Sequence, residues 1–435
     1  MKTILVLLDG LGDRTYRCLD HQTPLQAADT PHLNRLARYG SNGLLHASCV
    51  GECLPSELAH YLLFGYDRPN FPGRGLLEAV GDDVPFEDQD VLVLAHLARV
   101  VWSSGVPILE LGRDDIDGTS TALGALFAAL TPREISGIQF ELYQTHRNDA
   151  ILVMRGAVSP HISDSDPILK GQPMGRVVAL SACPEPHVAT ETANSLNRYL
   201  SDCHRALGDI SAQQVKAGGQ PLQANFLATQ RSGRRIPQEP FEQRWGLRGM
   251  MIASGGVYAG LAHELGIDFV LSRDTKAPDR DLHARIQMAL DDDRHDFIHV
   301  HTKVPDKAAH YGDPRHKRNA ISSLDKGLDI LVQALDTLPD LQIVVTADHS
   351  TPCESVLVHS GEPVPVVMVG PNIRCDAVER FDEVSAAAGG LGSLRGRELM
   401  LMILNNMDRS VFVGHHLGPD SRLYWGGEYP VFKKI

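Results

Sequence analysis

Residues 344–369 read VVTADHSTPCESVLVHSGEPVPVVMV. The stretch opens and closes on apolar, β-branched runs, and Asp348, His349 and His359 stand between them. Unbroken apolar runs suit strands covered on both faces, the arrangement of a parallel sheet flanked by helices. In such an open sheet, ligands collect at the carboxyl ends of the strands. An acid and a histidine placed directly after an apolar strand are therefore candidates for chemistry as well as for a turn.

The same alternation extends outward. KTILVLL, Lys2–Leu8, is a continuous apolar strand stopped by Asp9-Gly10. Thr30-Pro31 supplies an N-cap and a proline at the first helical position, Leu33, Leu36 and Ala37 follow at helical spacing, and Gly40 closes the element. In the C-terminal half, 248–253, 269–271, 297–301 and 341–346 read as strands, with helices expected at 257–265, 281–290 and 316–335. Strands alternating with helices give an α/β fold: a mostly parallel sheet with helices on both faces. Between about 82 and 243 the pattern loosens into Pro-, Gly- and polar-rich stretches, with short strand candidates at 91–94 and 150–154. This reads as an inserted α+β cap domain at 81–244, interrupting a discontinuous catalytic domain formed by 1–80 and 245–435.

Composition excludes several classes of function. With 435 residues, 43% hydrophobic and 22% charged, the chain is an ordinary soluble globular protein long enough for two domains. The net charge of −13, with both signs interleaved, argues against nucleic-acid and anionic-membrane surfaces. The apolar run at 4–8 is too short for a signal peptide, and no run approaches membrane-spanning length. Seven scattered cysteines fit a reducing cytoplasm better than a disulfide framework or a zinc ribbon.

Asp9 follows the first strand. The strand at 297–301 runs into TKVPDKAAH, where Asp306 and His310 are four apart and share one face of a helical turn. Asp348-His349 follows the strand at 341–346, and His359 precedes the last apolar run. Any one of these could be a turn residue or a satisfied histidine, but all six fall after strands of one sheet. Carboxylate oxygen with imidazole nitrogen suits divalent manganese or zinc. Three aspartates and three histidines exceed what one tetrahedral ion uses, so a pair of ions is expected, a recurring device of phosphoryl transfer. Ser56, after Pro55 and before a helical run at 57–64, reads equally as an ordinary N-cap or as a nucleophile at the positive end of a helix.

Taken in order, LLDGLGDR, TPHLNRLARYG, PSELAHYLLFGYD, GRGLLEAVG, HTKVPDKAAHYGD, TADHSTP, HSGEPVPVVMVG and GGLGSLRGRELM resemble the alkaline phosphatase superfamily, and within it the cofactor-independent phosphoglycerate mutases of archaeal type. The resemblance covers nearly the whole chain. It implies one divalent ion held by Asp306, His310 and His359 and a second held by Asp9, Ser56, Asp348 and His349. Manganese is the foremost candidate, and zinc, cobalt and magnesium are alternatives. It further implies that Ser56 becomes phosphorylated while 3- and 2-phosphoglycerate interconvert. His146, Arg147, Asp164, Asp166, Asn225, Arg231 and Lys303 then become candidates for gripping a small phosphorylated carboxylic acid. One region departs from the pattern: Leu94 and His96 stand where the family tends to carry an arginine and an asparagine, and Arg113 alone stands for an arginine-rich stretch. That departure keeps open an alternative, a phosphatase or phosphotransferase acting on another small phosphate or phosphonate. The state of self-association is left open.

Overall fold

The computed structural model describes residues 1–419, 421–426 and 429–433. The chain divides into two compact units, 1–71 with 238–435, and 72–237.

The first unit is built on an eight-stranded sheet in the spatial order Asp268–Leu271, Gly249–Ala253, Phe297–Thr302, Lys2–Leu8, Leu341–Thr346, Val364–Val369, Ser41–His46, Gly392–Arg395. Val364–Val369 is antiparallel to both neighbours, and every other pairing is parallel. The central strands are buried along almost their whole length, as their continuous apolar sequences require. Register then decides where the chemistry goes. Leu7 pairs with both His301 and Thr346, so three neighbouring strands end level with one another. The residues that follow them leave the sheet at one edge. Because Val364–Val369 runs the other way, its beginning lies at that same edge, where Thr346 Oγ1 donates to Pro365 O at 2.9 Å.

Two helical expectations change. The helix expected over 316–335 is two helices, Pro314–Lys326 and Asp329–Thr337. Gly327 separates them, and a Cβ there would lie 2.4 Å from the carbonyl oxygen of Asp279. The helix Pro31–Tyr39 is not capped by the Thr30 side chain. Asp325, from the neighbouring helix, accepts instead from His32 N at 3.1 Å and Leu33 N at 2.8 Å. No helix among the described residues is long and apolar enough to cross a membrane.

The second unit holds a six-stranded antiparallel sheet organised around a 13-residue strand, Val91–Ser103, far longer than the four residues expected at 91–94. Asp149–Arg155 and Phe226–Gly233 pair with it on either side. The 31-residue helix Pro186–Lys216 covers one face through Ala193, Leu196, Tyr199, Leu200, Cys203 and Leu207, with Tyr199 stacked on Phe140 at 4.6 Å. The units meet in sequence at 71/72 and 237/238 rather than at 80/81 and 244/245. The reason is packing. Helix Arg74–Gly81 buries Leu76 and Ala79 against Leu92, Leu94, Ile151 and Val153 of the second unit, while Phe241 is buried in the first, its ring 5.2 Å from that of Phe297 and 6.1 Å from that of Phe64.

Candidate metal centre and nucleophile

Asp9 leaves its strand with its N–H bonded to Thr302 O at 3.0 Å, and its own carbonyl accepts from Asp306 N at 2.9 Å. The chain then turns at Gly10, whose φ of +67° favours glycine and where a Cβ would lie 2.6 Å from Thr351 Oγ1. Gly10 N donates to Asp348 Oδ1 at 3.1 Å, which ties the first strand's exit to the loop that follows Leu341–Thr346. One edge of the sheet thus gathers Asp9, Asp306, Asp348 and His349, all buried.

Asp306, His310 and His359 present ligand atoms within 4.8 Å of one another, and so do Asp9, Asp306 and His349. Asp306 belongs to both groups. The two groups adjoin, with the His349 and His359 rings stacked 3.7 Å apart and the Asp306 carboxylate within reach of both. The hydrogen bonds of the imidazoles fix how they face. His359 Nδ1 must donate to Leu54 O at 2.7 Å, since a carbonyl only accepts; in the neutral ring its Nε2 lone pair then lies 3.5 Å from Asp306 Oδ1. Two acceptors confronted at that distance need a proton or a metal ion between them. The carboxylates make the same demand: Asp9 Oδ1 and Asp348 Oδ2 are buried and accept no hydrogen bond. A divalent ion fits this donor set, hard oxygens with imidazole nitrogens.

Ser56 is the first residue of helix Ser56–Leu63, with Pro55 in the cap position and no side-chain cap bond, so the N-cap reading of the serine does not hold. Its Oγ lies 3.0 Å from His349 Nε2. That nitrogen is also 3.2 Å from Asp348 Oδ2 and 3.5 Å from Asp9 Oδ1. Thr351 Oγ1 donates to Asp306 Oδ1 at 3.0 Å and faces His349 Nδ1 at 3.2 Å, so the imidazole donates from Nδ1 and keeps Nε2 for the site. The electrostatics are strong. Burial opposes ionisation of Asp9, but Lys303 and the bond from His301 hold its carboxyl well below the usual range. Asp306 is likewise held low against burial by His310, His359 and Lys303. Burial also opposes the charged form of His349, yet Asp348, Asp9 and Asp306 raise it to about 9.

Lys303 reaches the same edge, its Nζ 3.9 Å from Asp9 Oδ2 and 3.7 Å from Asp306 Oδ2. The other substrate candidates lie in the second unit. Asp164 Oδ1 accepts from Arg231 N at 2.7 Å, and Asp166 Oδ2 accepts from Gln230 at 3.2 Å and lies 3.7 Å from His96 Nε2, so these residues come together beside the strand Phe226–Gly233. His146 pairs with Asp82 at 3.2 Å, and Arg147 donates to Ile116 O at 2.9 Å. Asn225 is otherwise occupied: its amide accepts from Val100 N and donates to Val100 O, at 2.8 and 2.9 Å, extending a strand pairing. Arg113 grips Asp149 with two of its nitrogens, Nε and Nη2, at 2.5 and 2.7 Å. Sequence reasoning missed Thr351, Tyr258 and His301. His301 was hidden inside an apolar strand, and nothing in the helical run at 257–265 marked Tyr258.

Residues 1–406 match the family model described as the Metalloenzyme superfamily. The chain is 37% identical over 431 residues to the 2,3-bisphosphoglycerate-independent phosphoglycerate mutase 2 of Methanocaldococcus jannaschii, covering 98% of this chain and 97% of that protein. Among solved structures it is similar to a cofactor-independent phosphoglycerate mutase from Thermoplasma acidophilum, at 27% identity and a TM-score of 0.61 over 94% of this chain and 100% of that one. A Pyrococcus horikoshii protein aligns with a TM-score of 0.73 at 25% identity, over 95% and 99% of the two chains. The chain belongs to the metalloenzyme superfamily and, within it, to the 2,3-bisphosphoglycerate-independent phosphoglycerate mutases.

Proposed function

We propose that this enzyme interconverts 3-phosphoglycerate and 2-phosphoglycerate through a phosphoserine at Ser56. The observation that carries the reading is the Ser56 hydroxyl at a helix N-terminus, 3.0 Å from His349 Nε2 within a cluster of buried carboxylates. Two divalent ions, manganese foremost and zinc, cobalt or magnesium as alternatives, would be held by Asp306, His310 and His359 and by Asp9, Ser56, Asp348 and His349, with Asp306 shared. Bound there, such ions favour the alkoxide form of the serine and neutralise charge on the phosphoryl oxygens. Ser56 Oγ forms a bond to phosphorus as the bond to the substrate's 3-oxygen breaks. The backbone N–H groups of helix Ser56–Leu63 face the phosphoryl oxygens, and the Lys303 ammonium adds positive charge. The departing 3-oxygen takes up a proton; the 2-hydroxyl then gives one up as it attacks phosphorus, the bond from phosphorus to Ser56 Oγ breaks, and the serine is freed. His146, Arg147, Asp164, Asp166 and Arg231 are the proposed binding residues of the second unit. Because the substrate is a metabolite of central carbon metabolism, we place the enzyme in the cytoplasm.

The test is incubation of the purified protein with manganese and 3-phosphoglycerate, following 2-phosphoglycerate and inorganic phosphate together. Formation of 2-phosphoglycerate supports the mutase. Phosphate alone would make the protein a phosphatase and overturn the proposal.

A further inference from the structure

Beneath the proposed metal centre lies a layer of side chains that no step above uses. His60, His299 and His301 are fully buried and Tyr258 nearly so. The Tyr258 and His301 rings lie 4.2 Å apart, and that of His60 is 5.0 and 5.2 Å from them. Two members reach the carboxylate of Asp9. Tyr258 OH donates to Asp9 Oδ2 at 2.9 Å, and His301 Nε2 lies 3.1 Å from the same oxygen. Asp9 Oδ1 is buried and has no hydrogen-bond partner.

We infer that Tyr258 and His301 are positioning residues of the metal centre, which pin Oδ2 of Asp9 so that Oδ1 alone is offered to an ion. The inference rests on the reading of Asp9 as a metal ligand. A carboxylate turns freely about its last bond and can bind an ion through one oxygen or through both. Two donors on one oxygen remove both freedoms. The asymmetry is the telling point. A carboxylate that merely needed satisfaction in a dry interior would share its donors between its oxygens, whereas here both hydrogen bonds meet one oxygen, and the other accepts none and faces the ligand nitrogen His349 Nε2 at 3.5 Å. Because a carboxylate only accepts, His301 must donate from Nε2, and its Nδ1 is accordingly left without a partner. The backbone holds the clamp in register. Tyr258 sits in the first turn of helix Gly256–Leu265, and His301 pairs with Leu7, two residues before Asp9. The fully buried Arg285 donates to His301 O at 2.8 Å and to Asp274 at 2.7 Å, fixing the end of that strand.

The experiment is a calorimetric titration of the chelated full-length protein with manganese, for the wild type, Tyr258→Phe, His301→Leu and His301→Gln. Tyr258→Phe deletes one oxygen and keeps the ring. The expected result is a 10- to 100-fold loss of affinity at one of the two sites, the range typical for groups that orient a metal ligand, with the other site within twofold of wild type. His301→Gln, which keeps a donor near the Nε2 position, should bind more tightly than His301→Leu. Wild-type affinity at both sites in Tyr258→Phe and in folded His301→Leu would overturn the clamp; if His301→Leu does not fold, Tyr258→Phe decides alone. Asp9→Ala separates this failure from that of the reading beneath it. If Asp9→Ala also binds both ions normally, Asp9 is no ligand and the metal-centre assignment falls, and the clamp with it.

Discussion

Replacing Ser56 with alanine separates catalysis from stability. Ser56 is the first helical residue and caps nothing, so the variant loses no cap interaction. The hydroxyl's partner is His349 Nε2 at 3.0 Å, and that nitrogen keeps Asp348 at 3.2 Å and Asp9 at 3.5 Å as neighbours. The structural loss is thus one hydrogen bond, about 1 kcal/mol, partly offset by alanine's better helix propensity of about 0.5 kcal/mol. In a protein of this size the melting temperature should move by no more than about 2 °C. Catalysis loses its nucleophile, for which about 10⁶-fold is the representative cost, equivalent to roughly 8 kcal/mol of barrier. The assay couples 2-phosphoglycerate to formation of an enol phosphate that absorbs in the ultraviolet, with manganese content and thermal unfolding measured on the same preparation. A Ser56→Ala protein that is folded, metal-loaded and still above about 1% of the wild-type rate would refute the reasoning and point to water as the attacking group.

Asp306→Asn should weaken both manganese sites, because Asp306 serves both groups, whereas His310→Ala should weaken one; a manganese titration distinguishes the two patterns. In the metal-free site His349 is raised to about 9 and must be neutral to ligate, so metal loading below that pH should release a proton from it. Affinity should therefore climb up to about tenfold per pH unit between pH 7 and 9, and titrations in buffers of different ionisation enthalpy should show the released proton. Arg147→Ala should raise KM for 3-phosphoglycerate by about one to two powers of ten and increase the share of phosphate lost to water, with metal content unchanged.

The parts of the fold that were legible in the sequence are those whose burial is one-sided in composition. KTILVLL and LQIVVT are covered on both faces, and so they are continuous apolar runs. Ser41–His46, one strand in from the sheet's edge between Val364–Val369 and Gly392–Arg395, begins Ser-Asn-Gly, and its strand character comes from pairing rather than from its own residues. The long helix of the second unit was missed for a similar reason. Its core-facing stripe is built from Ala189, Ala193, Leu196, Tyr199, Cys203 and Leu207, with small residues where a sequence reading looks for leucines. The site itself was legible because strand ends are fixed by local sequence and the acids and histidines follow them directly. That Asp306 would be within reach of both His349 and His359 was not legible, since it depends on the loop at 350–358 bringing His359 back against His349. The Asn225 amide, bonded to the Val100 backbone, shows that an asparagine beside a strand can extend a pairing that the sequence does not announce.

Charge accounts for why these pieces belong together. Asp9, Asp306 and Asp348 are between 0% and 2% exposed, over a floor of His60, His299, His301, Tyr258 and Phe64. Burying one carboxylate in such a place costs several kcal/mol, and an isolated acid would take up a proton instead. These three stay ionised, which Lys303 and the imidazoles alone compensate only in part. The two proposed divalent ions would reverse the balance: with Lys303 they would leave the site with two net positive charges. A phosphate monoester dianion, or the phosphoserine made from it, brings two negative ones. The electrostatics that make the carboxylates tolerable therefore also select the phosphoryl group, with no need of an arginine at that edge. The glycerate carboxylate is the one charge left over. In the second unit Arg113 is already committed to Asp149, while the Arg147 side chain is half exposed and bonded chiefly to a backbone oxygen. The residues proposed for phosphoryl transfer to Ser56 thus all belong to the first unit, and the Arg147→Ala test above asks whether the second unit supplies the remaining positive charge.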